Sequence, residues 1–187
     1  MITEGPMELR GGIFLINRGL DDLAPDLLGG TRVGRLEEVL QWKMGSNVHS
    51  GTKGNNTPTH ARITGDWIEV SLTLSELTEE YLTLITNKRS SGLYFRPGAV
   101  GKYGHILRAS EYNAIVIRDE KAPEDYPALY IPFVVCADNG WHASRGVEHT
   151  ALANITLLSH DVGGAAGPVP FEYGAITSFL GYEEPEE

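Results

Sequence analysis

The stretch ITGDWIEVSLTLSELTEEYLTLI, Ile63 to Ile85, constrains the fold more than any other because its hydrophobic period changes partway along it. Ile68, Val70, Leu72 and Leu74 alternate with Glu69, Ser71 and Thr73, which predicts a strand with a core face and a wet face. After Ser75 the period lengthens: Leu77, Tyr81, Leu84 and Ile85 fall at i, i+4, i+7 and i+8, one face of a helix. That predicts a helix over about 75–87, capped by Ser75 or Thr78, with Glu79 and Glu80 at its positive end and Asn87 and Lys88 at its finish. A helix this short needs a sheet to pack on.

No other segment reads as a helix, and the rest of the chain supplies strands. In GGIFLINR, Gly11 to Arg18, Ile13 and Leu15 share one face and Phe14 and Ile16 the other, so both faces are expected to be covered. In TRVGRLEEVLQWKM, Leu36, Leu40, Trp42 and Met44 lie on one side, interrupted by Glu38, and Arg35, Glu37, Gln41 and Lys43 on the other. HILRASEYNAIVIRD, ALYIPFVVCAD and VEHTALANITLLSHD have strand character, and Pro132 marks an edge or a bulge in its strand. With 22 Gly, 10 Pro and 41% hydrophobic residues in 187, the expectation is a mainly β fold. It is a β-sandwich or barrel flanked by one short α-helix. A single domain over 1–161 with an N-terminal arm is expected, followed by a C-terminal extension over 162–187. That extension carries Phe171, Tyr173, Ile176, Phe179, Leu180 and Tyr182 and ends in Glu183, Glu184, Glu186 and Glu187. Its apolar residues are expected to lie along this subunit or a neighbour.

Between the second and third strands stands MGSNVHSGTKGNNTPTHAR, Met44 to Arg62, too polar and too long for a hairpin turn. It reads as a long polar loop over 44–61. Gly45, Gly51, Gly54, Asn47, Asn55 and Asn56 make such a loop costly to order alone, while Met44, Val48, His49 and Pro58, with Lys53 nearby, give it something to bury on a partner. Structureless loops of this length usually have a task.

Several chemistries are disfavoured. The formal net charge of −10 works against capture of nucleic-acid phosphates. Cys136 is the one cysteine, so no intrachain disulfide forms, and a buried thiol in a reducing compartment is expected. His49, His60, His105, His142, His149 and His160 show no metal-ligand spacing, and no nucleophile elbow or phosphate-binding glycine motif is present. Neither catalytic residues, a metal nor a cofactor is therefore expected. Trp42 and Trp67 read as packing residues, and Trp141, in DNGWHAS, reads as an exposed loop residue that could stack on a sugar. No apolar run approaches the roughly 18 residues of a membrane span, and no basic-then-apolar leader opens the chain, so a soluble cytosolic product is expected.

The order GGIFLINR, VGRLEEVLQWKM, polar loop and ITGDWIEVSLTLSELTEEYLTLI resembles the major tail tube proteins of long non-contractile-tailed bacteriophages. The resemblance is specific over about Val33 to Ile85 and extends in element order from Gly11 to Asp161; DNGWHASRGVEH and the acidic end depart from it. It implies hexameric rings stacked into a hollow tube in the virion tail, assembled in the host cytoplasm. The implied partners are further copies of the chain and other tail proteins, such as the tape measure and the terminator. Double-stranded DNA passes through without specific binding, and no membrane is involved. The loop would then bridge subunits and rings. Arg35, Glu37, Gln41, Glu69, Ser71 and Thr73 are the candidates to face the channel or a neighbour, and Leu77, Tyr81, Leu84 and Ile85 to pack the helix. Alternatives are a related tail component, namely a terminator or the tube of a contractile machine, a carbohydrate-binding β-sandwich, or a cupin-like enzyme using His105, Glu111 and His149 on a metal.

Overall fold

The structure is a computed structural model, and it describes residues 11–16, 26–34, 41–52, 58–74, 78–87, 107–108, 111–122, 124–145, 151–159 and 170–179. Among these residues the chain is mainly β with one α-helix. The strands are β1 (Gly12–Leu15), β2 (Thr31–Gly34), β3 (Gln41–Thr52), β4 (Pro58–Leu74), β5 (Asn113–Arg118), β6 (Ala128–Arg145), β7 (Ala151–Ser159) and β8 (Glu172–Gly174). They form one antiparallel sheet in the order β2-β1-β5-β6-β7-β4-β3, with β8 also on β6. It is not closed into a barrel, so that part of the sequence expectation is corrected: β2 and β3 end the order and do not pair with each other.

Alternation decides which faces are buried. β5 is covered on both sides: Ile115 and Ile117 enter the main core, whereas Ala114 and Val116 enter a second cluster on the opposite face. The same split separates Ile13 and Leu15 from Phe14 and Ile16 in β1, as the sequence pattern requires. Ile68, Val70, Leu72 and Leu74 of β4 all enter the main core. Trp42 of β3 meets Tyr173 of β8 with ring centroids 5.1 Å apart, so the last strand of the order curls back over the sheet's middle. Pro132 sits at a register shift, where Asn113 pairs with Val134 but Ile115 pairs with Ile131. The bulge absorbs the missing donor.

The helix α1 (Glu79–Ile85) is shorter than the predicted 75–87. Thr78 is the N-cap, accepting from the Tyr81 amide at 3.0 Å while its hydroxyl donates to the Val33 carbonyl, which ties the helix start to β2. Tyr81, Leu84 and Ile85 are buried in the main core as their spacing demands; Leu77 lies outside the described residues. On the opposite face of the sheet, buried Arg118 stacks 3.9 Å over Phe14 and donates to the carbonyls of Leu27, Leu28 and Gly29. Burial pulls its pKa below the ordinary arginine value, opposed by the nearby Asp26 and Glu120 carboxylates. These bonds hold the approach to β2, where Gly30 at φ +91° makes the turn.

Two expectations about loops are corrected. Residues 44–52 and 58–61 are not a loop but parts of β3 and β4, a paired antiparallel hairpin; residues 53–57 lie outside the described set. The physical reason is that strand signals in a sequence report burial on one face, and this hairpin stands clear of the core. Trp141 likewise lies on β6, opposite Ile155 of β7, and not in a loop. From the C-terminal extension, β8 pairs with β6, and a 3-10 helix (Ile176–Ser178) follows it. Ile176 and Phe179 fill the second cluster against Phe14, Leu27, Val116 and Tyr130.

Candidate functional site

β4 is long because it serves two purposes. Glu69 to Leu74 pair with β7, and the Ile68 amide donates to the Ser159 hydroxyl at 2.9 Å; before that point β4 pairs with β3 alone. Gly45–Thr52 and Pro58–Trp67 therefore form a two-stranded arm beyond the sheet, roughly 25 Å long at about 3.3 Å per residue. Among the described residues no strand pairs with the outer edge of β3.

Register assigns the arm two faces. On the core side stand the cross-strand pairs Trp42/Val70, Met44/Ile68, Ser46/Asp66 and Val48/Ile63. Trp42 and Ile68 pack into the core, but further out cover is lost: Met44 is 47%, Val48 57% and Ile63 66% exposed. Only the Ser46 to Asp66 hydrogen bond interrupts this apolar stripe. Ile63 belongs to it because of a register shift between Asn47 and Val48, which leaves Thr64 as the extra residue in β4. Strict alternation would place Ile63 with Glu69 on the opposite face, and no residue before the shift reveals the inversion. For that reason sequence reasoning missed Ile63.

The opposite face carries Gln41/Ser71, Lys43/Glu69, Gly45/Trp67, Asn47/Gly65 and His49/Arg62. Lys43 Nζ lies 2.6 Å from Glu69 Oε1, and Ser71 Oγ lies 3.3 Å from Thr156 Oγ1. An open depression of about 290 Å³ is lined by Gln41, Trp42, Lys43, Glu69 and Ser71. Gly45 lets the Trp67 ring lie close, because a Cβ there would come within 2.9 Å of Trp67 Cζ2 and the indole would have to shift. The indole thus lies across β3 at the root of the arm, a second feature that sequence reasoning missed by reading Trp67 as ordinary core.

Of the residues expected to bridge subunits, Met44, Gly45, Asn47, Val48 and His49 lie along β3 and Pro58 opens β4, whereas Lys53, Asn55 and Asn56 fall outside the described residues. Of those expected to face a channel or a neighbour, Gln41, Glu69 and Ser71 do share one face. Thr73 shares it too but is buried, and Arg35 and Glu37 fall outside the described residues. Of the histidines, His105, His149 and His160 lie outside it as well. Among the described residues no group of three His, Cys, Asp or Glu side chains could hold a metal ion, and no helix is long and apolar enough to cross a membrane. No protein-family model and no curated protein matches the chain.

Proposed function

We propose that this chain is the subunit of a self-assembling hollow tube, the tail tube of a long non-contractile-tailed bacteriophage, in which the β3–β4 arm lies on a neighbouring copy. The observation that carries the reading is the apolar stripe of the arm, Met44, Val48 and Ile63, which runs out of the core and is left uncovered. Placing apolar side chains in a row on a projecting element is unfavourable in a protein that stays monomeric.

The opposite face suits a channel lining. At the root of the arm Gln41 and Ser71 are uncharged and the Lys43 ammonium offsets the Glu69 carboxylate, so this part of the face offers DNA phosphates little to grip, while Arg62 stands further out on the arm. The overall charge of −10 acts in the same direction. In this reading the partners are other copies and other tail proteins, such as the tape measure and the terminator, the location is the virion, and neither catalysis nor a cofactor is involved.

Negative-stain electron microscopy of the purified protein over a concentration series tests the proposal. Hollow tubes with six-fold end views bear it out. Single six-fold rings that never stack point to a terminator, and compact monomers at every concentration overturn the self-assembly reading.

A further inference from the structure

The C-terminal segment 170–179 is attached to the sheet in an unusual way. β7 and β8 use the same edge of β6, the one turned away from β5: Ser159 pairs with Val134, and Glu172 pairs with Tyr130. Both strands run antiparallel to β6, so β8 continues the line of β7 in the same direction. Only Ile131, Pro132 and Phe133 separate the two pairings on β6, so three residues would close the gap. In sequence the two strands are separated by residues 160–171, among them the run Gly163-Gly-Ala-Ala-Gly167. An extended chain of that length reaches roughly 40 Å, against about 13 Å along the edge of β6.

The attachment is also small and modular. β8 contributes three residues of pairing, after which Ile176, fully buried, and Phe179, 6% exposed, insert into the cluster formed by Phe14, Leu27, Ala114, Val116, Ala128 and Tyr130. Tyr173 meets Trp42 at the root of the β3–β4 arm. The socket for the segment therefore adjoins the surface assigned above to subunit contacts.

We propose that residues 170–179 form an exchangeable strap, docked on the chain's own β6 in the free subunit and on β6 of a neighbouring copy in the assembly. The exchange makes no new kind of contact, so its cost is low, and the surplus length of chain lets it span. It rests on the self-assembly reading, and its occupant is a second copy of this chain.

Cysteines at the paired positions, Tyr130→Cys with Glu172→Cys in a Cys136→Ser background, test it. Directly opposed residues bring their Cα atoms to about 4.5–5.5 Å, within the range that a disulfide spans. Oxidised below the assembly concentration, the protein should run as a monomer on a non-reducing denaturing gel. Oxidised after assembly, it should give a ladder of covalently joined chains. Assembled material whose crosslinks remain within single chains overturns the exchange and leaves the tube reading intact; absence of any assembly removes both. Because replacing Tyr130 disturbs a buried position, deletion of residues 162–168 provides a second test. The five residues left reach about 20 Å, enough for the gap on the chain's own β6 but with little surplus to span to another copy, so the melting temperature should hold while assembly is lost. Tubes formed at the unmodified protein's critical concentration would refute the proposal.

Discussion

Replacing Val48 and Ile63 together by threonine isolates what the arm contributes to assembly. Threonine keeps the β-branched shape that suits a strand and puts a hydroxyl in place of the methyl of Val48 and the ethyl of Ile63. Full burial of a Val or Ile side chain is worth about 1.5–3 kcal/mol, and these two retain 57% and 66% of their exposure in the subunit. Roughly 1–2 kcal/mol per residue thus remains to be gained on a partner, about 3 kcal/mol for the pair. At about 1.4 kcal/mol per factor of ten, the critical concentration for assembly should rise about a hundredfold. Sedimentation of polymer across a concentration series measures it, with a thermal melt of the dispersed subunit as control. Because both side chains face solvent, the subunit's own stability should change by less than about 0.5 kcal/mol. An unchanged critical concentration alongside a normal melt would refute the claim that the stripe is buried in the assembly.

Leu84→Asp puts a carboxylate on the fully buried face of α1 and should cost more than about 4 kcal/mol, seen as loss of a cooperative urea transition; a normal transition would show that α1 does not pack as described. Thr78→Ala removes both the cap on the Tyr81 amide and the bond to the Val33 carbonyl and should cost about 1–2 kcal/mol, with Thr78→Ser recovering most of it in the same urea assay. Tyr81 gives a pH test. Burial, with the negative charge of the Cys136 thiolate adding a smaller effect, pushes its pKa from 10.0 up to about 12, so the folded state holds the phenolic proton more tightly than the unfolded chain does. Its contribution is complete below pH 10 and is lost as pH rises from 10 through 12. Tyr81→Phe should flatten that alkaline decline, and since the hydroxyl has no hydrogen-bond partner among the described residues, it should cost nothing at pH 7. An unaltered alkaline slope in Tyr81→Phe would assign the titration elsewhere.

What could be read from the sequence follows from where burial acts. Ile68 to Leu74 and Tyr81 to Ile85 touch the core at regular intervals, so their periods declare both element type and inward face. Pro132 announced its bulge because a residue without an N–H cannot complete a ladder. The arm gave no such signal: from Gly45 to Gly51 no residue belongs to the core, and Gly, Ser, Asn and His are all compatible with pairing through the backbone alone. Trp141 was misread for a related reason, since DNG ordinarily marks a turn but here falls inside β6 at an irregular register between Cys136 and Trp141. Which sheet edge β8 would occupy depends on β7 stopping at Ser159, and nothing in the sequence around Tyr173 encodes that.

Finding strands where a loop was expected changes the energetics of the proposed assembly. If residues 44–61 were unstructured until a partner arrived, ordering them would cost about 1–2 kcal/mol per residue, on the order of 20–30 kcal/mol in all. The few kcal/mol available from Met44, Val48 and Ile63 could not offset that. With the hairpin already paired over Gln41 to Thr52, most of that cost is met when the subunit folds, and the stripe's burial can act as net driving force. A two-stranded hairpin is only marginally stable by itself, which explains why the root of the arm is fastened by the Lys43 to Glu69 ion pair, the Ser46 to Asp66 hydrogen bond and the Trp67 indole across Gly45. Assembly in this scheme is controlled by concentration and by access to the stripe, not by a disorder-to-order step in the arm.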